Sequence, residues 1–502
     1  MEKEIIIETK QGKIKGYERE GVKKFKGIPY AEPPVGNLRF KPSIRKEPWS
    51  GVLDCTKFGP DVPQRESFFT PQPHPLQDEE KCLSLNVWTP EVDDTKRPVL
   101  FWIHGGGFSF GSGSRTDGTV MAKIGNAVIV SINYRLGIFG YIFIQDEIAN
   151  LGQLDQITAL QWVRDNISLF GGDPNNVTIF GESAGGVAVS TLMAMPAAKG
   201  LINRVISQSG AAHPRSFHPK VGINGAERIM TELGIKGFDI EALKKISPQK
   251  IVDVQTKLEL EARAKGRNFP YGVYIDSKSL PKHPLEAIRD GFASDLELIV
   301  GTNQDEMKLY SVISPPNKIL DEEGLFRRTH RLIQVFNEDE GVTQKIIDTY
   351  KKAREGTLPT DPQDILEAIL TDFRFRVSGI RLVEAQCKHQ PNVFSYLFTY
   401  KSPEFGGKLG ACHALEIAFV FGRLGEKARG ITPKKSNETD ILSEKMMNSW
   451  ISFAQNGNPN HEGIPKWNPY DLRNRSTMIF GTEVKLVDDP FKTERMVWDG
   501  IF

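Results

Sequence analysis

The chain of 502 residues has the composition of an ordinary globular protein, with 39% hydrophobic and 25% charged residues, ample for a large buried core. Its 64 basic and 63 acidic side chains are scattered and leave a net charge of +1, so no electrostatic footprint for DNA, RNA or anionic lipid exists. The nearest approach to a membrane span, "AVIVSINYRLGIFGYIFI", is interrupted by Asn133 and Arg135, and neither nucleic acid nor a membrane is an expected partner.

The first residues, "MEKEIIIETK", have too short an apolar core and too acidic a start for a secretory signal, which points to the cytoplasm. Apolar runs suited to strands then recur at 83–90, 98–105, 126–134, 176–180, 204–210, 296–303 and 393–400. Many are continuous rather than alternating, as in strands covered on both faces. Between them, "LDQITALQWVRDNISLFGG" places Leu154, Ile157, Leu160, Val163 and Ile167 along one helical face and ends at Gly171-Gly172. Strands alternating with helices predict an α/β sheet. Two mainly helical, polar stretches, around 213–292 and 311–390, read as insertions decorating one end of it. No repeat or linker divides the chain, so one domain over 1–502 is expected. Cys55, Cys82, Cys387 and Cys412 form no C-x-x-C pair and no zinc-like spacing with histidine. They read as free thiols, and neither a metal nor a cofactor is expected.

Two segments match the G-x-S-x-G pattern of serine nucleophiles. In "HGGGFSFGSGS", Ser109 follows three glycines, glycines continue beyond it, and no helix pattern starts there. In "VTIFGESAGGVAVS", Ser183 stands between an apolar strand and a run of small, helix-compatible residues. That strand–turn–helix setting is the one a nucleophile elbow requires, with Gly181 and Gly185 as near-bare flanks. A Gly-Gly-Gly turn is better suited to bringing backbone N–H groups up to a substrate oxygen. Ser183 is therefore the predicted nucleophile, and the first segment supplies an oxyanion hole.

An activated serine needs a base and an acid later in the chain. Of the histidines that follow Ser183, His413 in "GGKLGACHALEIAFVFG" sits on a Gly-rich loop before an apolar segment. For the acid, "LELIVGTNQDE" runs from a strand into Asp305-Glu306, at the carboxyl end where such sheets build sites. Periodicity does not choose between these two carboxylates.

Taken with "FKGIPYAEPPVGNLRF", "CLSLNVWTP", "INYRLGIFG", "MPAAKGL", "GTNQDE" and "WISFAQNGNPN", the chain resembles the type B carboxylesterases of the carboxylesterase/cholinesterase family over essentially its full length, above all their bacterial para-nitrobenzyl esterase branch. The resemblance implies an α/β-hydrolase fold, with a large, mostly parallel central sheet flanked by helices. It implies hydrolysis of carboxylic esters through an acyl-enzyme, without a cofactor, with a small-molecule ester as partner; the sequence does not fix the oligomeric state, and a monomer is favoured. Residue by residue, Ser183 matches the nucleophile, His413 the base and Glu306, rather than Asp305, the acid. Gly106, Gly107 and Ala184 match the oxyanion hole, and Ser209 a position near the triad. Arg39 and Glu80 match an ion pair beneath the site. Val62 stands near the usual disulfide partner of Cys82, so no family-type disulfide is expected. The segment from Val62 to Cys82 has no tryptophan to hold a quaternary ammonium, which argues against choline esters. Uncharged short- to medium-chain esters are the expected substrates. An amidase or carbamate hydrolase on the same triad is the alternative, and a non-catalytic adhesion-type homologue is disfavoured because all three triad positions are filled.

Overall fold

The computed structural model describes residues 3–67, 69–71, 74–213, 217–264, 271–315, 319–425 and 430–501. Among these residues thirteen strands form one sheet. They are β1 (Lys3–Thr9), β2 (Gly12–Arg19), β3 (Val22–Pro29), β4 (Val52–Asp54), β5 (Ser84–Thr89), β6 (Arg97–Ile103), β7 (Val128–Ile132), β8 (Gly172–Glu182), β9 (Arg204–Gln208), β10 (Glu297–Asn303), β11 (Val393–Phe398), β12 (Ser476–Phe480) and β13 (Lys485–Asp488). Their order is β1-β2-β3-β5-β7-β6-β8-β9-β10-β11-β12-β13, with β4 beside β2. The block from β7 to β12 is parallel, and the flanks on either side pair antiparallel except that β4 lies parallel to β2. Each strand expected from an apolar run lies in the parallel block or, as β5, against its edge.

Continuous apolar strands arise because both faces are covered. On β6, Val99, Phe101 and Ile103 enter one core while Leu100 and Trp102 enter the other. Likewise β8 sends Val177 and Ile179 to the first core and Phe180 to the second, where Phe180 meets Trp102 at 4.9 Å between ring centroids. The N-terminal strands escape a search for apolar runs because lysines interrupt their apolar residues, as in "VKKFKGIP", where Lys23 and Lys24 are themselves buried. The helix α1 (Leu151–Asn166) forms where its apolar spacing predicts, and Gly171 closes the following turn at φ 75°. Helices also fill the described parts of the two polar stretches, among them Pro219–Leu233 and Pro248–Ala264 in the first and Glu322–Ile333, Glu340–Arg354 and Pro362–Thr371 in the second. Residues 214–216, 265–270 and 316–318 of those stretches lie outside the described ones.

The loop after β7 is pinned to α1 by a buried ion pair. Arg135 donates from Nη2 to Asp155 Oδ1 at 2.6 Å and from Nε to Oδ2 at 2.8 Å, while its backbone N–H reaches Oδ2 at 3.0 Å. Asp155 is completely buried, so removing it strands a buried guanidinium without its counter-charge, held only by the Lys41 carbonyl. Asp155→Ala is expected to cost about 3–5 kcal/mol of stability, read as a lower urea midpoint. An unchanged midpoint would contradict this role.

Candidate active site

The carboxyl ends of β6, β8, β9 and β10 and the loop after β11 converge on one place. β8 runs through Gly181 and Glu182 into Ser183, and the helix α2 (Ala184–Leu192) starts at the next residue. Ser183 holds φ 56° and ψ −122°, a strained geometry for a residue with a side chain. Its N–H donates to the Gln208 carbonyl and its own carbonyl accepts from Val187 N–H, both at 2.9 Å. The flanking glycines are obligatory for space. A Cβ on Gly185 would lie 2.1 Å from the Ile103 carbonyl oxygen, and one on Gly181 2.6 Å from the Gly185 carbonyl. Ser183 keeps part of its surface open, unlike Glu182 and Ala184 on either side.

The loop after β6 carries Gly106 at φ 112° and Gly107 at φ 61°. The N–H groups of Ser109 and Phe110 both turn back to the Gly106 carbonyl, at 3.1 and 3.2 Å. Among the described residues the N–H groups of Gly106 and Gly107 have no acceptor, and Ala184 N–H, first in its helix, has no carbonyl four residues back. Ser109 is buried, its hydroxyl is bonded by Glu259, and its carbonyl accepts from Gln255 Nε2 at 3.2 Å. It is part of the packing between this loop and the helix Pro248–Ala264.

Beyond β10, Glu306 is completely buried. Its Oε1 accepts the Asn303 N–H at 2.8 Å, and its Oε2 lies 2.6 Å from His413 Nδ1. Asp305 turns the other way, to Ala411 N–H at 3.0 Å and Lys308 at 3.5 Å. The imidazole lies between Phe375, 4.8 Å away, and Tyr310, 5.6 Å away. The structure thus brings Glu306 and His413 together. The hydroxyl of Ser183 has no hydrogen bond among the described residues. His413 Nε2 instead lies 3.0 Å from Glu182 Oε1, without the alignment of a hydrogen bond.

Two buried carboxyls here were not singled out from sequence. Glu182 is the variable residue of the serine motif, where any side chain satisfies the pattern. Glu416 lies three residues past His413, the one-turn spacing that marks it. Glu416 accepts from Gln208 Nε2 at 3.1 Å and Asn303 Nδ2 at 2.6 Å, and Gln208 in turn holds Trp450 Nε1 at 3.0 Å. Burial makes the carboxyls of Glu182 and Glu416 hold their protons more tightly. Burial lifts Glu182 to about 8, with Glu416 and Glu306 adding to the rise and His413 opposing it. Burial alone would lower His413, but Glu182, Tyr310 and Glu306 hold it well above the ordinary histidine range.

Ser209 follows β9 at φ 47°, fully buried, with its N–H on the Gly301 carbonyl at 2.8 Å and no partner for Oγ among the described residues. Arg39 pairs with Glu79, not with Glu80 as the resemblance implied, through Nε–Oε1 at 2.6 Å and Nη2–Oε2 at 2.7 Å. Glu80 is exposed, its N–H on Asp78 Oδ1, because the turn before Cys82 directs only the first of the two glutamates inward. The four cysteines are free thiols. Among the described residues no group of three His, Cys, Asp or Glu is arranged to hold a metal ion.

The model of the carboxylesterase family matches residues 3–498. The para-nitrobenzyl esterase of Bacillus subtilis (strain 168) is 36% identical, covering 98% of this chain and 97% of that one. Liver carboxylesterase B-1 of Rattus norvegicus is 32% identical over 95% of this chain and 90% of its own. Among solved structures, a carboxylesterase of Geobacillus stearothermophilus superposes with a TM-score of 0.87 at 37% identity, covering 98% of this chain and 99% of that one.

An imidazole accepts a proton only in its neutral form, so a role for His413 as base would show in the pH dependence of the rate. Because the carboxyls raise the imidazole pKa, kcat/KM for an uncharged chromogenic ester is expected to rise with pH through a limb above 6.5. Glu182→Gln removes the carboxyl that does most to raise the imidazole and should move that limb downward. A wild-type limb below 6.5, or one that Glu182→Gln leaves in place, would contradict the cluster's effect.

Proposed function

The chain belongs to the carboxylesterase family, and from that premise we propose that Ser183, His413 and Glu306 are the residues with which it hydrolyses esters. It is a carboxylic ester hydrolase of the α/β-hydrolase fold. The observation that carries the residue assignment is the 2.6 Å contact of buried Glu306 with His413 Nδ1, on the imidazole whose other nitrogen faces the strand end bearing Ser183.

Ser183 Oγ attacks the ester carbonyl carbon as His413 Nε2 takes its proton, which requires the ring to turn from Glu182 to the serine. Glu306 fixes the tautomer and stabilises the imidazolium. Gly106, Gly107 and Ala184 donate backbone N–H groups to the oxyanion, in a region too tight to reorganise. His413 then protonates the leaving alcohol. A water, deprotonated by the same imidazole, attacks the acyl-enzyme and releases the acid and Ser183. Ser209 supports this elbow from the neighbouring strand end, its N–H tied to β10.

The same reading extends to the whole chain: one catalytic domain, a monomer, working on short- to medium-chain esters in the cytoplasm. Four free thiols suit a reducing compartment. No helix among the described residues is long and apolar enough to cross a membrane.

Ser183→Ala should lower turnover of a p-nitrophenyl ester by about a millionfold, the scale of losing a triad serine. Ser109→Ala should retain activity within roughly tenfold, since it removes one hydroxyl from a packed loop. An active Ser183→Ala enzyme, or an inactive but folded Ser109→Ala enzyme, would overturn the assignment.

A further inference from the structure

The helix that carries Phe375 to the imidazole is not regular. Between Pro362–Thr371 and Val377–Gln386, residues Asp372–Arg376 form a turn of π-helix. Such bulges insert one residue into the helical repeat and re-aim its neighbours, often at functional sites. The charged residues of this turn have different fates. Arg376 is buried against Asp372 and Glu494, with Nη2 3.2 Å from the latter. Arg374, two residues earlier, makes no hydrogen bond and no ion pair among the described residues.

Arg374 is nonetheless deep in the protein. Burial lowers its pKa, and the group that opposes this is the phenol of Tyr310, not any carboxylate. Tyr310 is also the ring 5.6 Å from His413, and Phe375, next to Arg374, is the ring 4.8 Å from it. Arg374, Tyr310, Phe375 and Ser183 all keep part of their surface open, while Glu182, Glu306, Met307, Phe373 and His413 are buried. Open surface on deep residues marks the wall of a cleft that leads to the imidazole and serine. A guanidinium without an acid is costly in such a place, and a ligand that brings the anion removes the cost.

We propose that Arg374 is a specificity residue of this cleft and selects esters that carry a free carboxylate, such as monoesters of dicarboxylic acids. This rests on the hydrolysis proposed above and replaces the uncharged esters expected from the sequence with anionic ones as the preferred substrates. The guanidinium would receive the carboxylate in a charge-assisted hydrogen bond and repel cationic esters. Hydrolysis then yields an alcohol and a dicarboxylate.

The test compares monoethyl glutarate with ethyl pentanoate, which share a five-carbon acyl chain, by pH-stat titration at pH 7.5. The wild-type enzyme should show the higher kcat/KM on the charged ester. Arg374→Met should lower the charged-to-neutral ratio by roughly tenfold, mainly through KM, and Arg374→Lys should restore part of it. A wild-type preference for ethyl pentanoate overturns the proposal without any variant, and so does an equal ratio in wild type and a folded Arg374→Met. Both results leave ester hydrolysis standing. Failure of the wild type to cleave either ester would instead sink the hydrolytic reading together with this one.

Discussion

The site depends on how closely two backbones approach. α2 leaves the end of β8 so near the end of β6 that the Ile103 carbonyl occupies the space of any side chain on Gly185. Gly210 meets the same limit from the other side, where a Cβ would lie 2.1 Å from the Ser183 carbonyl. Between these contacts Ser183 has one available conformation, strained but over-determined by its neighbours. The strain lifts its hydroxyl clear of the sheet. The same close approach brings the start of α2 beside the end of β6, so the proposed nucleophile and the proposed oxyanion donors share one cause.

Charge is arranged as tightly as the backbone. Glu182, Glu306 and Glu416 are all buried within reach of one imidazole, each with a different attachment: the serine strand, the end of β10 and the segment after His413. Hydrogen bonds from Asn303 and Gln208 hold Glu416, and Asn303 also anchors Glu306, so one asparagine sets the spacing of two carboxyls. The surplus of carboxyls favours a positively charged imidazole, the form that His413 would take as the proposed base. The cost is a resting imidazole that holds its proton to higher pH.

Much of this was legible from sequence where the signal is local. Apolar runs marked the parallel strands because both faces are covered, and the glycine spacing around Ser183 marked a turn that excludes side chains. Decisions between adjacent carboxylates were not legible. Asp305 and Glu306 differ only in which side of a turn each faces, as do Glu79 and Glu80, and pattern alone does not contain that direction. The family resemblance chose Glu306, the carboxylate found 2.6 Å from His413 Nδ1, and misplaced the partner of Arg39. Glu416 and Arg374 were hidden for another reason. The partners of Glu416 are distant in sequence, and the π turn that sets Arg374 apart from Arg376 lies within what reads as continuous helix.

In the proposed mechanism, backbone strain and the buried imidazole activate Ser183 rather than any other hydroxyl. Stoichiometric inactivation by a p-nitrophenyl phosphonate, followed by peptide mass mapping, reads this directly, because the reagent phosphonylates the activated oxygen. One adduct per chain on the segment 177–190, which contains Ser183, is the predicted result. An adduct on 104–114, at Ser109, or inactivation without any adduct at Ser183, would contradict it.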